Sequence, residues 1–276
     1  MSRPVPSSSL AVTFSTRRTV LPAPMVRQVA TLAGVDGLDV DAMSALGAWL
    51  AARLAASDEL DMPIRAIWIP VGDFQSTRSR RLVDSVAERQ PDAHPRVVAT
   101  LTAGSSLYEL TRNLKLGGWL SQSLQVVLGL PSTVLKGGRP HLVQLGAIRR
   151  FAEEWDFAVA VDLSGQFDPT WEAEAAVARL GERLAILRIN ASAPSRAAVG
   201  RDRVACRALH AAMDRDHRLD VAVAPVNSVP FPITPRVASS GARRAVDYVA
   251  ERAVLHARAL REGFSSYEGS RTTRGI

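Results

Sequence analysis

Short runs of β-branched and aliphatic residues alternate with longer amphipathic stretches from one end of the chain to the other. That rhythm is the mark of βα units feeding a parallel sheet. Strands are predicted at Leu10–Phe14, Gly37–Val40, Arg65–Ile69, Arg96–Leu101, Leu124–Leu130, Phe157–Leu163, Ala185–Asn190 and Asp220–Val226. Between them the helical spacing of apolar residues predicts helices over Ala23–Ala33, Met43–Leu60, Arg78–Gln90, Leu107–Leu120, Pro140–Trp155, Thr170–Leu184 and Arg201–His217. A last helix, Ala242–Glu262, carries Val246, Val249, Ala250, Ala253 and Val254 on one face. Eight strands, each followed by a helix, close naturally into a (β/α)8 TIM barrel, an α/β fold of a single domain. An open doubly wound sheet is the alternative, although such sheets usually hold fewer strands.

Punctuation agrees with these boundaries. Pro22 and Pro24 open the first helix and Pro140 the fifth, where a missing N–H costs nothing. Gly34 stands where a left-handed residue would end the first helix. No linker or internal repeat splits the chain, so the barrel is expected to run over 10–262, with tails at 1–9 and 263–276.

Composition narrows the classes. Hydrophobic residues are 47% and charged residues 22% of 276, enough to build a sizeable core. No apolar run approaches the roughly 18 residues of a membrane span, and no signal-peptide core follows the Ser- and Pro-rich start. A lone Cys206 excludes an intrachain disulfide, and a cytoplasmic location is the plain reading. The net charge of +7 raises nucleic acid as a partner. The cations are almost all Arg, however, and are interleaved with acids along helices, as in Arg80-Arg81-Leu82-Val83-Asp84. A solvated surface explains that pattern, so nucleic acid is not the expected partner and a small anionic or sugar-like ligand is.

Alternation along the strands points to the interior. In a barrel the large aliphatic residues face the helices and the other parity faces the axis. Val159 and Val161 outward turn Ala158, Ala160 and Asp162 inward; Leu187 and Ile189 outward turn Ile186, Arg188 and Asn190 inward. Thr13, Ser15, Asp39, Trp68, Thr100, Thr102, Ala222 and Ala224 fall on the inward parity too. Polar groups near strand C-termini gather where barrel active sites lie. Asp162 and Arg188 belong to adjacent strands and must be paired, because buried charges are costly alone. They form either a structural ion pair or a site in which Arg188 offers its fork to an anion. Trp68 reads as packing or as a platform for a sugar ring. Arg17 and Arg18 follow the first strand, Arg78, Arg80 and Arg81 the third, and Lys136 and Arg139 flank Gly137-Gly138 after the fifth. These cations are expected at the rim of the C-terminal face. Nucleotide-binding glycine loops, CxxC pairs, G-x-S-x-G and H-E-x-x-H are all missing from the sequence.

Three stretches carry a resemblance. Ala33-Gly34-Val35-Asp36-Gly37-Leu38-Asp39-Val40 resembles the second-strand signature of the xylose-isomerase-like TIM barrels, with Asp39 in place of the usual Glu. The run 151–162, FAEEWDFAVAVD, resembles the helix and strand that carry a metal-binding Glu in that family, with Asp162 in its place. Leu187-Arg188-Ile189-Asn190 resembles a strand that usually reads Val-His-Leu-Lys-Asp. The resemblance implies a barrel of the sugar-phosphate isomerase/epimerase kind, whose members bind divalent metals through Glu, Asp and His. A related endonuclease-IV-like branch cleaves phosphodiesters.

This chain departs from the implied ligand set. Arg188 stands at the seventh-strand His, Ala191 at its acidic partner, and Val221-Ala222-Val223-Ala224-Pro225 ends without the usual Glu. No metal ligand is therefore assigned, and the expectation is no cofactor, with a divalent metal disfavoured. On this reading an isomerase/epimerase-like enzyme would use Asp162 or Asp39 for proton transfer. Arg188, Asn190, Trp68, Arg17, Lys136 and Arg139 would bind the substrate. A non-catalytic ligand- or partner-binding barrel is the alternative from another class, and a phosphodiesterase relative is a third.

Overall fold

The computed structural model describes residues 11–17, 21–56, 62–91, 94–102, 106–116, 119, 125–130, 141–162, 179–190, 219–224, 254 and 258. Eight strands lie within them: β1 Ala11–Ser15, β2 Gly37–Asp41, β3 Ile64–Pro70, β4 Arg96–Thr100, β5 Val126–Leu130, β6 Ala158–Asp162, β7 Leu184–Asn190 and β8 Asp220–Ala224. Each pairs in parallel with the next, and β8 pairs with β1, so the sheet closes into a barrel. Five described helices, α1 Ala23–Ala33, α2 Ala45–Ala55, α3 Thr77–Arg89, α4 Leu107–Leu116 and α5 His141–Glu154, follow β1 to β5. The fold is a (β/α)8 barrel rather than an open sheet.

Most expected boundaries hold within two residues, and the exceptions have local causes. α2 starts at Ala45, not Met43, because Ser44 is extended and its hydroxyl caps the helix by accepting from the Gly47 N–H. It ends at Ala55, short of the expected Leu60. The helix expected over Thr170–Leu184 cannot reach its end. Gly181 has a φ of 56°, Gly181–Arg183 form a 3-10 turn, and Leu184 already belongs to β7. A second 3-10 turn, Val71–Gln75, follows β3 where no element was expected. The Asn113 amide donates to the Val71 carbonyl, and the Trp119 indole donates to the Phe74 carbonyl, so α4 and its sequel hold that turn in place. Most of the Thr170–Leu184 segment and the helix expected over Arg201–His217 lie outside the described residues. So does most of Ala242–Glu262, but Val254 within it is helical and packs against the outer core.

The apolar core has two parts. A large layer between sheet and helices takes the outward parity, including Val12, Phe14, Leu38, Val40, Ile67, Ile69, Val159, Val161, Leu187 and Val223. A small cluster inside the barrel contains Ala66, Trp68, Val98, Val127, Ala160, Ala185 and Ile186. The alternation of large and small residues thus sets which face each strand turns inward. At the N-terminal end of the barrel Arg96, the first residue of β4, reaches across to Asp220, the first of β8, at 2.7 Å. It also donates to Gln125 Oε1 at 3.1 Å and to the Ala185 carbonyl at 3.4 Å, so this floor is polar.

Close packing of the wall leaves Gly129 of β5 no room for a side chain. A Cβ there would lie 2.7 Å from Val98 Cγ1 and 2.9 Å from Thr100 Oγ1. Gly129→Ala is therefore expected to destabilise the protein by about 1–3 kcal/mol, the usual cost of overpacking a tight core. Urea unfolding of the two proteins measures it, and an unchanged midpoint would contradict the packing described.

Candidate functional site

The C-terminal end of the barrel gathers charge. Asp39 and Asp41 project inward from β2, two residues apart and therefore on one face. Asp162 ends β6, and Arg188 lies beside it in register on β7. Arg188 is wholly buried, and its guanidinium sits among the three carboxylates. Its Nη2 donates to Asp39 Oδ1 at 2.5 Å, and its Nη1 to Asp41 Oδ2 at 2.9 Å and Asp162 Oδ2 at 3.4 Å. The flat guanidinium also lies 3.8 Å from the centre of the Trp68 ring, a stacking geometry that suits Arg and not Lys. A buried charge is tolerated only with such partners. Among the described residues the Arg188 Nε–H has no hydrogen-bond acceptor.

Neighbouring groups fix the carboxylates. Asp39 accepts from the Ser15 hydroxyl at 2.8 Å on Oδ1 and from the Trp68 indole at 2.6 Å on Oδ2. Asp41 accepts from the Met43 N–H at 2.9 Å, and its own N–H donates to Thr16 Oγ1 at 2.8 Å. The Thr16 N–H donates to the Asp39 carbonyl. β1 and β2 are thereby tied together at their upper ends. Arg17, immediately above β1, places its guanidinium against Asp162 Oδ2 and is 18% exposed, whereas the Asp162 side chain is 1% exposed.

The expected contact between Asp162 and Arg188 is present but is the longest of three. Asp39 and Asp41 hold Arg188 more closely. The sequence pattern ends β2 at Val40 and so leaves out Asp41, whose position two residues beyond Asp39 is the signal for it. Trp68 is buried, with one face under Arg188 and its N–H on Asp39, so it orients a carboxylate instead of offering a platform to a sugar. Arg188 has no exposed surface either. Asn190 ends β7 opposite Ala224. Lys136 and Arg139 lie outside the described residues.

The arginines that follow β3 lie on α3. Arg78 and Arg81 line a groove of about 610 Å³ between α2 and α3. Arg80 pairs with Asp84 and stacks over Trp119, 5.0 Å from its ring centre.

The divalent metal that the sequence resemblance implies can be tested against these donors. Asp39 and Asp41 each have both oxygens engaged by N–H or O–H groups, and a guanidinium occupies the space between the acids. Among the described residues no group of three or more His, Cys, Asp or Glu is arranged to hold a metal ion. With Arg188 in this position the donor set does not fit a hard divalent cation, which needs several converging free oxygens.

No protein-family model matches the chain, and no curated protein matches it. Among solved structures, the apo form of the 3-keto-D-glucoside 4-epimerase YcjR from E. coli is similar, with a TM-score of 0.51 at 12% identity. The match covers 87% of this chain and 99% of that one. At such identity the likeness establishes the fold alone. The YdjI aldolase from Escherichia coli K12 covers 94% of this chain and 91% of its own at 15% identity, but its TM-score is 0.36.

The geometry makes Arg188 the hub of the site. Arg188→Met should cost about 3–5 kcal/mol, the usual effect of leaving buried charges without their counter-ion. Adding Asp162→Leu should recover less than half of the loss, because among the described residues Arg188 is the cation that meets Asp39 and Asp41. Denaturant unfolding of single and double variants measures both. Full recovery in the double variant would mean that Asp162 alone balances Arg188.

Proposed function

We propose that this barrel is a sugar or sugar-phosphate isomerase/epimerase-like enzyme in which the guanidinium of Arg188 takes the place of a divalent metal. The observation that carries the reading is the burial of Arg188 among Asp39, Asp41 and Asp162 at the catalytic end of the barrel. Asp162 is the proton-transfer group in this reading. Its Oδ2 meets Arg188 and the partly exposed Arg17, so it adjoins the open end of the barrel. Asp39, held by Ser15, Trp68 and Arg188, positions Arg188.

The chemistry needs no other groups to be balanced. A carboxylate oxygen of Asp162 takes the proton from the carbon beside a substrate carbonyl as that C–H bond breaks. The electron pair passes to the carbonyl oxygen, giving an enediolate, and Arg17 stabilises the negative charge. Return of that proton to the former carbonyl carbon, with the hydroxyl proton passing from the second carbon's oxygen to the former carbonyl oxygen so that the second carbon becomes the carbonyl, completes an aldose–ketose exchange in which each heavy atom of the substrate is retained. Asn190, Lys136 and Arg139 are proposed to contact the substrate beyond the reacting carbons. A non-catalytic ligand-binding barrel is the second reading, favoured by the saturation of Asp39 and Asp41.

The test is exchange of substrate C–H protons with solvent. Metal-stripped protein in D₂O, offered a panel of pentose and hexose phosphates and the free sugars, should incorporate deuterium next to the carbonyl of one of them. Asp162→Asn should lower the rate by about 10²–10⁴-fold, the range for loss of a general base. Exchange that appears only when Mn²⁺ or Zn²⁺ is added would overturn the metal-free mechanism. No exchange on any member of the panel, with a ligand nevertheless bound, would leave the non-catalytic reading in possession.

A further inference from the structure

The outer wall of the barrel carries a face that the mouth does not explain. An outer helix turns an apolar stripe to the sheet and a polar or charged face to water. α2, with the sequence ALGAWLAARLA, departs from that plan: it holds no acidic residue and one cation, Arg53. Its buried stripe is Leu50, Ala51, Leu54 and Ala55, yet Leu46 and Trp49 on the outer face are 58% and 50% exposed. Residues three and four apart share a helix face, so Ala45 and Ala52 flank Trp49, with Leu46 and Arg53 along the same side. The exposed Arg53 guanidinium lies 5.7 Å from the centre of the Trp49 ring.

The groove of about 610 Å³ between α2 and α3 adjoins this face. Ala45, Ala48 and Ala52 supply methyl groups on one side, and the exposed Arg78 and Arg81 of α3 enter from the other. Asp73, in the turn after β3, also lines it. Arg78 reaches the Ala45 carbonyl at 3.5 Å, and among the described residues neither Arg53, Arg78 nor Arg81 meets a carboxylate. Protruding apolar side chains and cations without a carboxylate thus share one side of the wall.

We propose that this face docks on the surface of a membrane that contains anionic phospholipid. Trp49 and Leu46 enter the headgroup region, where an indole finds an apolar bed and a polar edge together. Arg53, Arg78 and Arg81 meet lipid phosphates, which a guanidinium fork suits. A second copy of the chain is a poorer occupant. A two-fold contact of α2 with α2 would bring the arginines together with no carboxylate on either helix. An indole that stands out from the surface also needs a matching recess in a protein partner, whereas a bilayer accepts it without one. Docking on this wall is independent of the chemistry at the mouth.

Sedimentation with vesicles reads the docking. Wild-type protein should bind vesicles made of equal parts phosphatidylcholine and phosphatidylglycerol, bind phosphatidylcholine alone weakly, and be released as salt screens the arginines. Arg81→Gln should lower the partition coefficient on the mixed vesicles by about fivefold, the usual effect of one cation at an anionic surface. Trp49→Ser should lower it by about 10-fold through lost apolar burial. Arg150→Gln removes the same charge from an exposed position on α5, away from this face, and should change it by less than about twofold. Brominated phosphatidylcholine in the mixed vesicles should quench tryptophan emission in the wild type and not in Trp49→Phe. The substituted side chains are exposed, and circular dichroism checks that each variant is folded. No binding to the mixed vesicles, or equal binding to both kinds, would overturn the proposal. An equal effect of Arg150→Gln and Arg81→Gln would also overturn it, since the net charge of +7 would then account for the attraction. So would a dimer seen by ultracentrifugation without vesicle binding and lost in Trp49→Ser, which would assign the face to a second copy.

Discussion

A guanidinium with no access to water is the constraint on which the upper half of this barrel depends. Removing an Arg from water costs several kcal/mol unless other charges and hydrogen bonds replace the solvent. Here the replacement comes from two strands that are not neighbours of one another: Asp39 and Asp41 on β2, and Asp162 on β6. Among the described residues Arg188 is the cation that meets Asp39 and Asp41, whereas Asp162 also meets Arg17. The strand ends must therefore stop at the heights that let these four groups meet. Ser15, Thr16 and Trp68 make that arrangement stiff, because each hydrogen-bonds to Asp39 or Asp41.

Long side chains can cross a barrel only where short ones make room. Arg188 stands in register with Ala222 on one side and Asp162 on the other, and Ala160 and Ala66 line the same interior. At the opposite end Arg96 crosses from β4 to Asp220 on β8, beneath Ala185, whose carbonyl it also approaches. Trp68 fills the space between these polar ends together with Val98, Val127 and Ile186. Gly129 is part of the same economy of volume, since Val98 and Thr100 already take the space of a side chain there. The interior thus has charged clamps at both ends and a small apolar waist, and each clamp joins walls that the ladder of hydrogen bonds does not.

The fold was legible because strand parity and helical periodicity are local signals that this sequence follows closely. α1 matches the expected Ala23–Ala33, and Gly34 ends it in the left-handed conformation, φ 60°. The inward parity of Asp39, Trp68, Asp162 and Arg188 was legible for the same reason. What alternation does not encode is distance across the barrel. It placed Asp162 beside Arg188 from strand adjacency, yet the closer partners come from β2, brought near by closure and tilt. The 3-10 turns at Val71–Gln75 and Gly181–Arg183 were equally hidden, because they arise from tertiary hydrogen bonds and from one glycine's φ rather than from a periodic pattern. Long-range charge pairs such as Arg96 with Asp220 leave no trace in local sequence.

The three carboxylates share one counter-ion but differ in what else restrains them, and that difference decides their chemistry. Asp39 meets a hydroxyl, an indole N–H and a guanidinium across both oxygens, so its negative charge is fixed in direction and fully used. Asp41 spends one oxygen on the Met43 N–H, which anchors the start of the β2–α2 connection, and the other on Arg188. Asp162 Oδ2 meets two guanidinium groups, that of Arg17 and, at the longest of its three contacts, that of Arg188. A metal ion in such a place would bind substrate oxygens directly by exchanging ligands. A guanidinium cannot; it supplies a permanent charge and N–H groups in one plane. Arg188 can therefore orient and charge-balance the carboxylates around it, and of the three it meets Asp162 at the longest distance.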